Sequence, residues 1–333
     1  MVSYGKRLTI ELCQKFCDII SPSGYEERMF HAIVNILDKF GYEIQTDVCG
    51  NLICNKKTSS IGQKKIAFIA HMDTASIVIN GIDSLHNNVY WGSLSKWKFE
   101  KIENQSITFL SGSTAIAHIS DKSGNSNILK EVNGQVEIGD VATLTPHFEI
   151  SDNIITGTFL DDRVGCAILV DVACKLKKTN LSDISFIFTT QEEIGNKGAY
   201  NIAQCFDFDE VYCIDTTRAF SQEYNKPIYP LMGGGACIKI CDGSGFCSKK
   251  LNCEIKKIAE DNNISIQTEV LFSGSCDILP FTRHRKKTEY TGISIPCKNM
   301  HSRSEQVCIS DILAVEDLII KILLKEKCEI INL

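Results

Sequence analysis

Thr158-Phe159-Leu160-Asp161-Asp162-Arg163-Val164-Gly165-Cys166-Ala167 is the stretch on which the fold turns. An apolar approach ends in two adjacent carboxylates and an arginine. A run of small and apolar residues that reads as a helix follows at once. Two acids side by side in a tight turn repel, so a positive charge belongs beside them, either the arginine or a metal ion. Equally, Asp161 or Asp162 can cap the helix and favour its positive N-terminus. From this stretch alone the two readings stand level, and the ends of the other strands decide between them.

Downstream the text alternates strand and helix. Val164 to Leu176 reads as a helix, Ser185 to Thr190 as a strand delivering Gln191-Glu192-Glu193-Ile194-Gly195, and Ala199 to Gln204 as a short helix. Glu210 to Ile214 is a strand delivering Asp215. Lys249 to Glu260 is helical, and Ser265 to Phe272 and Thr291 to Ile295 are strands, the second delivering Asn299-Met300-His301-Ser302. A last helix runs from about Ser310 to Glu326. Upstream, Leu8, Leu12, Phe16 and Ile19 recur at helical spacing until Ser21-Pro22. Ser23-Gly24-Tyr25-Glu26 has the form of a capping box for a second helix with Met29, Ile33, Leu37 and Phe40 as its stripe and Gly41 as its stop. Tyr42 to Asn55 reads as a strand pair about Gly50-Asn51, and Lys65 to Ala70 as a strand buried on both faces that delivers His71-Met72-Asp73.

Between these halves the text changes. Ser76 to Ile79, Ser106 to Leu110, Thr114 to Ile119 and Val141 to Leu144 are short alternating runs with turn residues between them and no helical period. The expected architecture is an α/β protein: a three-layer α/β/α sandwich formed by residues 1–74 and 154–333, with a small β-barrel, 75–153, inserted into it. Trp91 and Trp97 belong to the barrel core or its interface.

Composition narrows the function. The chain has 333 residues, 44% of them hydrophobic, so a packed core is expected. Its net charge is −6 with acids and bases interspersed, and no basic stripe offers counterion release, which argues against nucleic acid as the partner. No apolar run reaches the ~18–20 residues of a membrane span. Met1 to Arg7 lacks the apolar core of a secretion signal, so the expected location is cytoplasmic. The sixteen cysteines follow no zinc-knuckle spacing and read as small buried hydrophobes in a reducing compartment.

His71, Glu192 or Glu193, Asp215 and His301 each stand at the carboxyl end of an expected strand, and Asp161 just before a helix. Open α/β sheets bind ligands at that edge, so residues distant in the chain meet there. A lone histidine in such a place is usually an ordinary surface residue. Two of them among four acids call for cations, and mixed His/Asp/Glu donors suit zinc or a similar divalent metal.

These residues carry a resemblance. His71-Met72-Asp73, Leu160-Asp161-Asp162-Arg163-Val164-Gly165, Gln191-Glu192-Glu193-Ile194-Gly195, Asp215 and His301-Ser302 resemble the motif set of metallopeptidase family 42, the tetrahedral and glutamyl aminopeptidases. The match extends to Ser21-Pro22-Ser23-Gly24-Tyr25-Glu26, Gly50-Asn51-Leu52 and Ile138-Gly139-Asp140. The resemblance implies a zinc-exopeptidase-like fold and two divalent ions per chain, Zn2+ or else Co2+ or Mn2+. It implies His71 and Asp215 on one ion, Glu193 and His301 on the other, and Asp161 bridging. It also implies Glu192 as general base, Asp73 holding the far nitrogen of His71, and short peptides with a free N-terminus as substrates. In the family the inserted barrel serves dimerisation and dimers build a hollow dodecamer, so a homo-oligomer is expected.

The sequence departs from the family at Thr74-Ala75-Ser76, where Glu-Ile-Gly is usual, and at Thr216-Thr217-Arg218. The first departure is closer to the family-20 dipeptidases and deacylases, the alternative reading. A catalytically inactive peptide-binding scaffold is the alternative of another class. Gly233-Gly234-Gly235 lacks the ending of a phosphate loop and reads as a tight turn or a close backbone approach. The run Arg283-His284-Arg285-Lys286-Lys287 is a solvated face, or a pocket for acidic side chains.

Overall fold

The apolar run after Lys65 forms strand β3 (Lys65–His71), and both of its faces are covered. Ile66, Phe68 and Ala70 enter one hydrophobic cluster, Ala67 and Ile69 another. A period of two with both faces apolar is what a strand between two helical layers requires. The same division runs through β12 (Asp183–Thr189), with Phe186 and Phe188 opposite Ile187. It recurs in β13 (Glu210–Arg218), where Tyr212 and Ile214 oppose Val211 and Cys213. These strands run parallel in the order β12-β3-β13, and β17 (Glu289–Lys298) continues parallel beside β13. Antiparallel β2 (Leu52–Lys56) and β1 (Glu43–Thr46) close the sheet on the β12 side. The computed structural model describes residues 8–56, 64–95, 101–119, 127–176, 183–219, 230–284 and 287–331.

One face is covered by α1 (Leu8–Cys17), α2 (Glu27–Leu37), α3 (Leu160–Lys175), α5 (Lys249–Asp261) and α7 (Ile309–Ile331), the other by α4 (Lys197–Cys205) and α6 (Leu279–Arg283). This is the expected three-layer sandwich. Helix α3 is buried from Leu160 to Ala173, so its text carries no polar stripe. Burying each large apolar side chain contributes roughly 1.5–3 kcal/mol. That gain outweighs the cost of the short polar segments that must end inside the sandwich. No helix among the described residues is long and apolar enough to cross a membrane.

The insertion closes on itself. Strands β4 (Ile77–Asp83), β5 (Asn88–Gly92), β6 (Ser106–Phe109), β7 (Thr114–His118), β8 (Ile128–Asn133) and β9 (Val141–Leu144) form a barrel in the order β4-β5-β8-β7-β6-β9. Ile77, Ile79, Trp91, Ile107, Phe109, Leu129 and Leu144 fill it, so it is a packed core and not a channel. Trp91 is 1% exposed, and its ring N–H donates to the Ile128 carbonyl at 3.1 Å. Trp97 lies outside the described residues, as do Arg285 and Lys286.

Three local expectations change. Strand β10 (Phe148–Ser151), inside the stretch assigned to the insertion, leaves the barrel. It pairs with β11 (Ile154–Gly157), which pairs with β18 (Glu305–Cys308) in the large sheet. A hairpin partner is set by the turn at Asp152, not by the alternation that suggested the barrel. Ser23 does not cap α2: no side chain caps that helix, and the Ser23 hydroxyl donates to Asp73 Oδ2 at 2.7 Å. A carboxylate is the stronger acceptor and wins the hydroxyl. Phe40 lies in a separate 3-10 turn, Asp38–Phe40, closed by Gly41 at φ 74°. Gly233-Gly234-Gly235 proves to be a tight turn, its amides of Gly233 and Gly235 bound by the Asp311 carboxylate at 2.6 and 2.8 Å.

Candidate active site

Parallel pairing aligns the strand ends. Thr189 of β12 is in register with His71 of β3, and the turn Gln191–Gly195 follows directly. Asp215 lies within β13, which continues to Arg218, four residues past the predicted end at Ile214. His301 follows β17, and Asp161 stands at the entry of α3. All meet at one edge of the sheet.

Asp161 is the hinge of the arrangement. Its Oδ1 is 3.2 Å from His71 Nε2 and its Oδ2 is 3.2 Å from His301 Nε2. His301 Nε2 is also 3.3 Å from Glu193 Oε1, and His71 Nε2 is 3.9 Å from Asp215 Oδ1. Donor atoms of His71, Asp161 and Asp215 lie within 4.8 Å of one another, as do those of Asp161, Glu193 and His301. Asp73 stands behind both groups. Its main-chain oxygen is 3.1 Å from His71 Nδ1, so a proton there leaves the Nε2 lone pair facing Asp161. Its Oδ1 accepts from the Glu192 amide at 2.9 Å and its Oδ2 from the Glu193 amide at 3.1 Å.

The opening stretch divides its labour. Asp162 is the cap: its Oδ1 accepts from the Gly165 amide at 3.0 Å, and a Cβ at Gly165 would collide with that carboxylate. Asp161 faces the histidines instead. Arg163 is not their countercharge. It is fully buried, and its guanidinium donates to the main-chain oxygens of Met72 and Ile19, joining the loops beneath the site.

Charge is concentrated here without relief. Burial, then the neighbouring acids Asp161 and Asp73, push Glu193 up to about 7, the histidines opposing. Burial, then Asp161, raises Asp215 well above the usual carboxylate range. Burial raises Glu192 well above it too, with His71 opposing and Asp215 adding. For His301 burial works downward, but Glu193 and Asp161 overcome it and carry it to about 10. Asp161 moves the other way: burial would raise it, and the two histidines hold it low. Acids pushed up and imidazoles held protonated at one edge mark a candidate functional site. The donor set of two imidazoles and three carboxylates fits divalent metals.

The model of the M42 glutamyl aminopeptidase family matches residues 126–318. A protein of Acetivibrio thermocellus assigned as an aminopeptidase is 30% identical over 316 residues, 91% of this chain and 94% of its own. The chain belongs to the M42 aminopeptidase family. A lysyl aminopeptidase of Pyrococcus furiosus is 26% identical over 330 residues, covering 91% of this chain and 93% of that one. Among solved structures, a dodecamer of PhTET1 superposes with a TM-score of 0.83 at 25% identity over 94% of this chain and 98% of that one. An aminopeptidase of the archaeon Desulfurococcus kamchatkensis superposes at 0.87 with 23% identity, covering 95% and 94% of the two chains, and supports the fold. The protein is thus an M42 exopeptidase that hydrolyses peptide bonds at the N-terminus of its substrates. The departures at Thr74-Ala75-Ser76 and Thr216-Thr217-Arg218 do not move it to another family.

Several residues of this M42 site were not read from the sequence. Glu305 in β18 accepts from the amides of Asp161 at 3.2 Å and His301 at 2.6 Å, holding these two residues together. Asn196 donates to Glu192 Oε1 at 2.9 Å and to Asp277 Oδ1 at 3.1 Å. Glu26 Oε1 accepts from Gly24 at 2.8 Å and from Gln191 at 3.1 Å, clamping the turn that carries Glu192 and Glu193. Ser21 and Pro22 join the clasp: the Ser21 hydroxyl donates to the Met72 carbonyl at 3.0 Å, and Pro22 bridges Thr74. The turn is strained, with Gln191 at φ 56° and His301 opposite at 59°, left-handed values that their contacts must hold.

A cavity of about 520 Å³ opens over the site, and Lys101, Arg218, Ser275 and Met300 line it with the acids and His301. Lys101 belongs to the insertion and donates to the Met300 carbonyl, so the inserted segment supplies one wall of the cavity. Arg283 does not line it. Its guanidinium bonds the Tyr200 hydroxyl at 2.6 Å and lies 5.9 Å above that ring.

Proposed function

We propose that this aminopeptidase works with two divalent cations, one held by His71, Asp161 and Asp215, the other by Asp161, Glu193 and His301. The observation that carries the reading is Asp161, whose two oxygens each stand 3.2 Å from a different histidine. Zinc suits these donors best, and cobalt or manganese fit the same set. When bound, such a pair supplies Lewis acidity that lowers the pKa of water and polarises the scissile carbonyl.

The protein's own groups do the rest. Glu192, oriented by Asn196 at 2.9 Å, takes the proton of the attacking water and passes it to the leaving amine as the C–N bond breaks. Asp73 fixes the His71 ring and, through two amides, the directions of Glu192 and Glu193. The cavity admits short peptides with a free N-terminus.

The large sheet and its helices, with the returning strands β10 and β11, act as the catalytic unit, and the inserted barrel of strands β4 to β9 serves assembly into a homo-oligomer. What supports this is a barrel with its own closed core whose surface leaves Leu85 93%, Leu94 75% and Ile138 67% exposed. A structural neighbour that is a dodecamer supports it further. Elemental analysis of the purified protein is expected to give two divalent ions per chain, and Asp161→Asn to lower both occupancies. Full activity of metal-free protein would refute the reading.

A further inference from the structure

Two thiols behind Asp215 have no part in the chemistry described above. Cys213 precedes Asp215 by two residues in β13, so both side chains leave the same face of the sheet. Cys276, in the loop before α6, packs onto that face. The two sulfurs and a carboxylate oxygen of Asp215 lie within 4.8 Å of one another. Among the described residues it is one of three such donor groups, and the others contain no sulfur. Cys213, Cys276 and Asp215 are buried, at 2%, 3% and 7% exposure. At tetrahedral angles about zinc, two thiolates stand about 3.8 Å apart, and a thiolate and a carboxylate oxygen about 3.5 Å. A triangle of the observed size closes on an ion with small rotations of the side chains.

We propose that Cys213, Cys276 and Asp215 form a third cation site, selective for thiophilic ions such as Cd2+ or excess Zn2+. The donors decide the selectivity: sulfur prefers soft cations, whereas the catalytic donors are all oxygen and imidazole nitrogen. Each thiol enters as thiolate, so binding one ion releases two protons to solvent. Asp242 Oδ2, which accepts from Cys276 Sγ at 3.5 Å, is already taken by Lys239, so the three donors stand without it. Lys239, the nearby cation, is already engaged with Glu269 at 2.5 Å and with Asp242 at 3.2 Å. The route in is short, because Gly274, Ser275 and Asp215 line the substrate cavity beside Cys276. Asp215 would then be drawn on by two sites, so loading the thiol site inhibits hydrolysis. Only this last consequence rests on the two-metal reading given above.

The test is spectroscopic. Metal-loaded enzyme is titrated with Cd2+ while the ultraviolet sulfur-to-cadmium charge-transfer band is followed, a band that oxygen and nitrogen donors do not give. One equivalent of Cd2+ is expected to saturate it. Cys213→Ser and Cys276→Ser should each abolish that equivalent, and Cys205→Ser, which alters an exposed thiol, should keep it. Absence of the band in the unaltered protein overturns the proposal, and that result needs no variant to fold. So does a band that persists at full strength in both serine variants. Zinc content and circular dichroism of the variants report their folding, and Cys276→Ala replaces the serine variant where folding fails. Metal stoichiometry at the catalytic site is measured separately, so failure of the thiol site and failure of the two-metal reading give different results.

Discussion

The three buried clusters of charge in this sandwich are of two opposite kinds. Between α1, α3 and α7, the Asp171 and Glu316 carboxylates share the Lys175 ammonium and the Thr9 hydroxyl, which lies 2.5 and 2.7 Å from them. Around β14 (Ala236–Asp242) and β16 (Ile266–Val270), Lys239 is held by Glu269 and Asp242. In both, a lysine stands among the acids, and Lys239 keeps its proton well: burial works against it and Glu269 prevails. At the carboxyl edge of the sheet, Asp161 and Glu193 are faced by the imidazoles of His71 and His301, and buried Arg163 turns away to carbonyls. Burying ions costs several kcal/mol each unless partners repay it. A cluster that carries its own cation is structural. The cluster at the carboxyl edge is the one proposed above to take its cations from solution.

The sharpest way to break this comparison is to change charge at the carboxyl edge without changing shape. Glu192→Gln is expected to keep near-normal metal content while kcat falls by ~10²–10⁴. Glu193→Gln should lose metal from one position and regain part of its activity in excess metal. Metal stoichiometry and kcat measured side by side decide this, and the reverse pattern would exchange the two roles.

At the Lys239 cluster the effect should fall on stability instead. Lys239→Met leaves Glu269 and Asp242 buried without their cation, and a loss of about 3–5 kcal/mol is expected in denaturant unfolding. A loss below about 1 kcal/mol would mean that Lys239 contributes little to holding this pair.

A smaller effect is expected where the clasp supports the carboxyl edge. Ser23→Ala removes the hydroxyl from Asp73, and kcat should drop about tenfold, near 1.4 kcal/mol, with metal content unchanged. Ser23→Thr should restore it. Loss of metal in Ser23→Ala would place Ser23 in the binding of the cations and not in the aim of Glu192.

The mildest test uses pH on metal-free protein. Glu193 and Glu305, raised from 4.5 to about 7 and about 8 chiefly by burial and then by Asp161, favour their protonated forms when folded. That stability is present below pH 4.5 and is lost as pH rises through the folded values. His301, raised from 6.5 to about 10 by Glu193 and Asp161 against burial, loses its contribution in the same direction. Thermal unfolding should therefore fall in temperature from about pH 5 to about pH 9. Added Zn2+ should flatten the slope, and a metal-independent slope would contradict the cationic role of the site.

Much of this was legible because the physics was local. Strands such as β3 and β12 are apolar on both faces, a pattern of few explanations, and their ends point to His71 and the Glu192-Glu193 pair. Other features depend on partners far along the chain. Ser23 reads as a cap until Asp73, fifty residues away, takes its hydroxyl. Glu305 sits in a four-residue strand whose text carries no period, and its role is visible only when two amides converge on it. Phe148–Ser151 alternates like the barrel strands, and nothing local says that it will join the large sheet. The first stretch was ambiguous because its two aspartates part ways: Asp162 caps the helix and Asp161 turns to the histidines.

The return strand after the barrel carries one more consequence. Within the sheet β11 has β10 on one side and β18 on the other, with Ile154 opposite Cys308. During synthesis the chain has emerged through the barrel and all four of the parallel strands β3, β12, β13 and β17 before the partner of β11 exists. An edge waiting that long exposes unpaired amides and carbonyls to any passing strand. The acid that holds Asp161 and His301 in place arrives on that same last strand. Pairing of β11 and the docking of Glu305 against Asp161 and His301 therefore wait for the same late stretch of the chain.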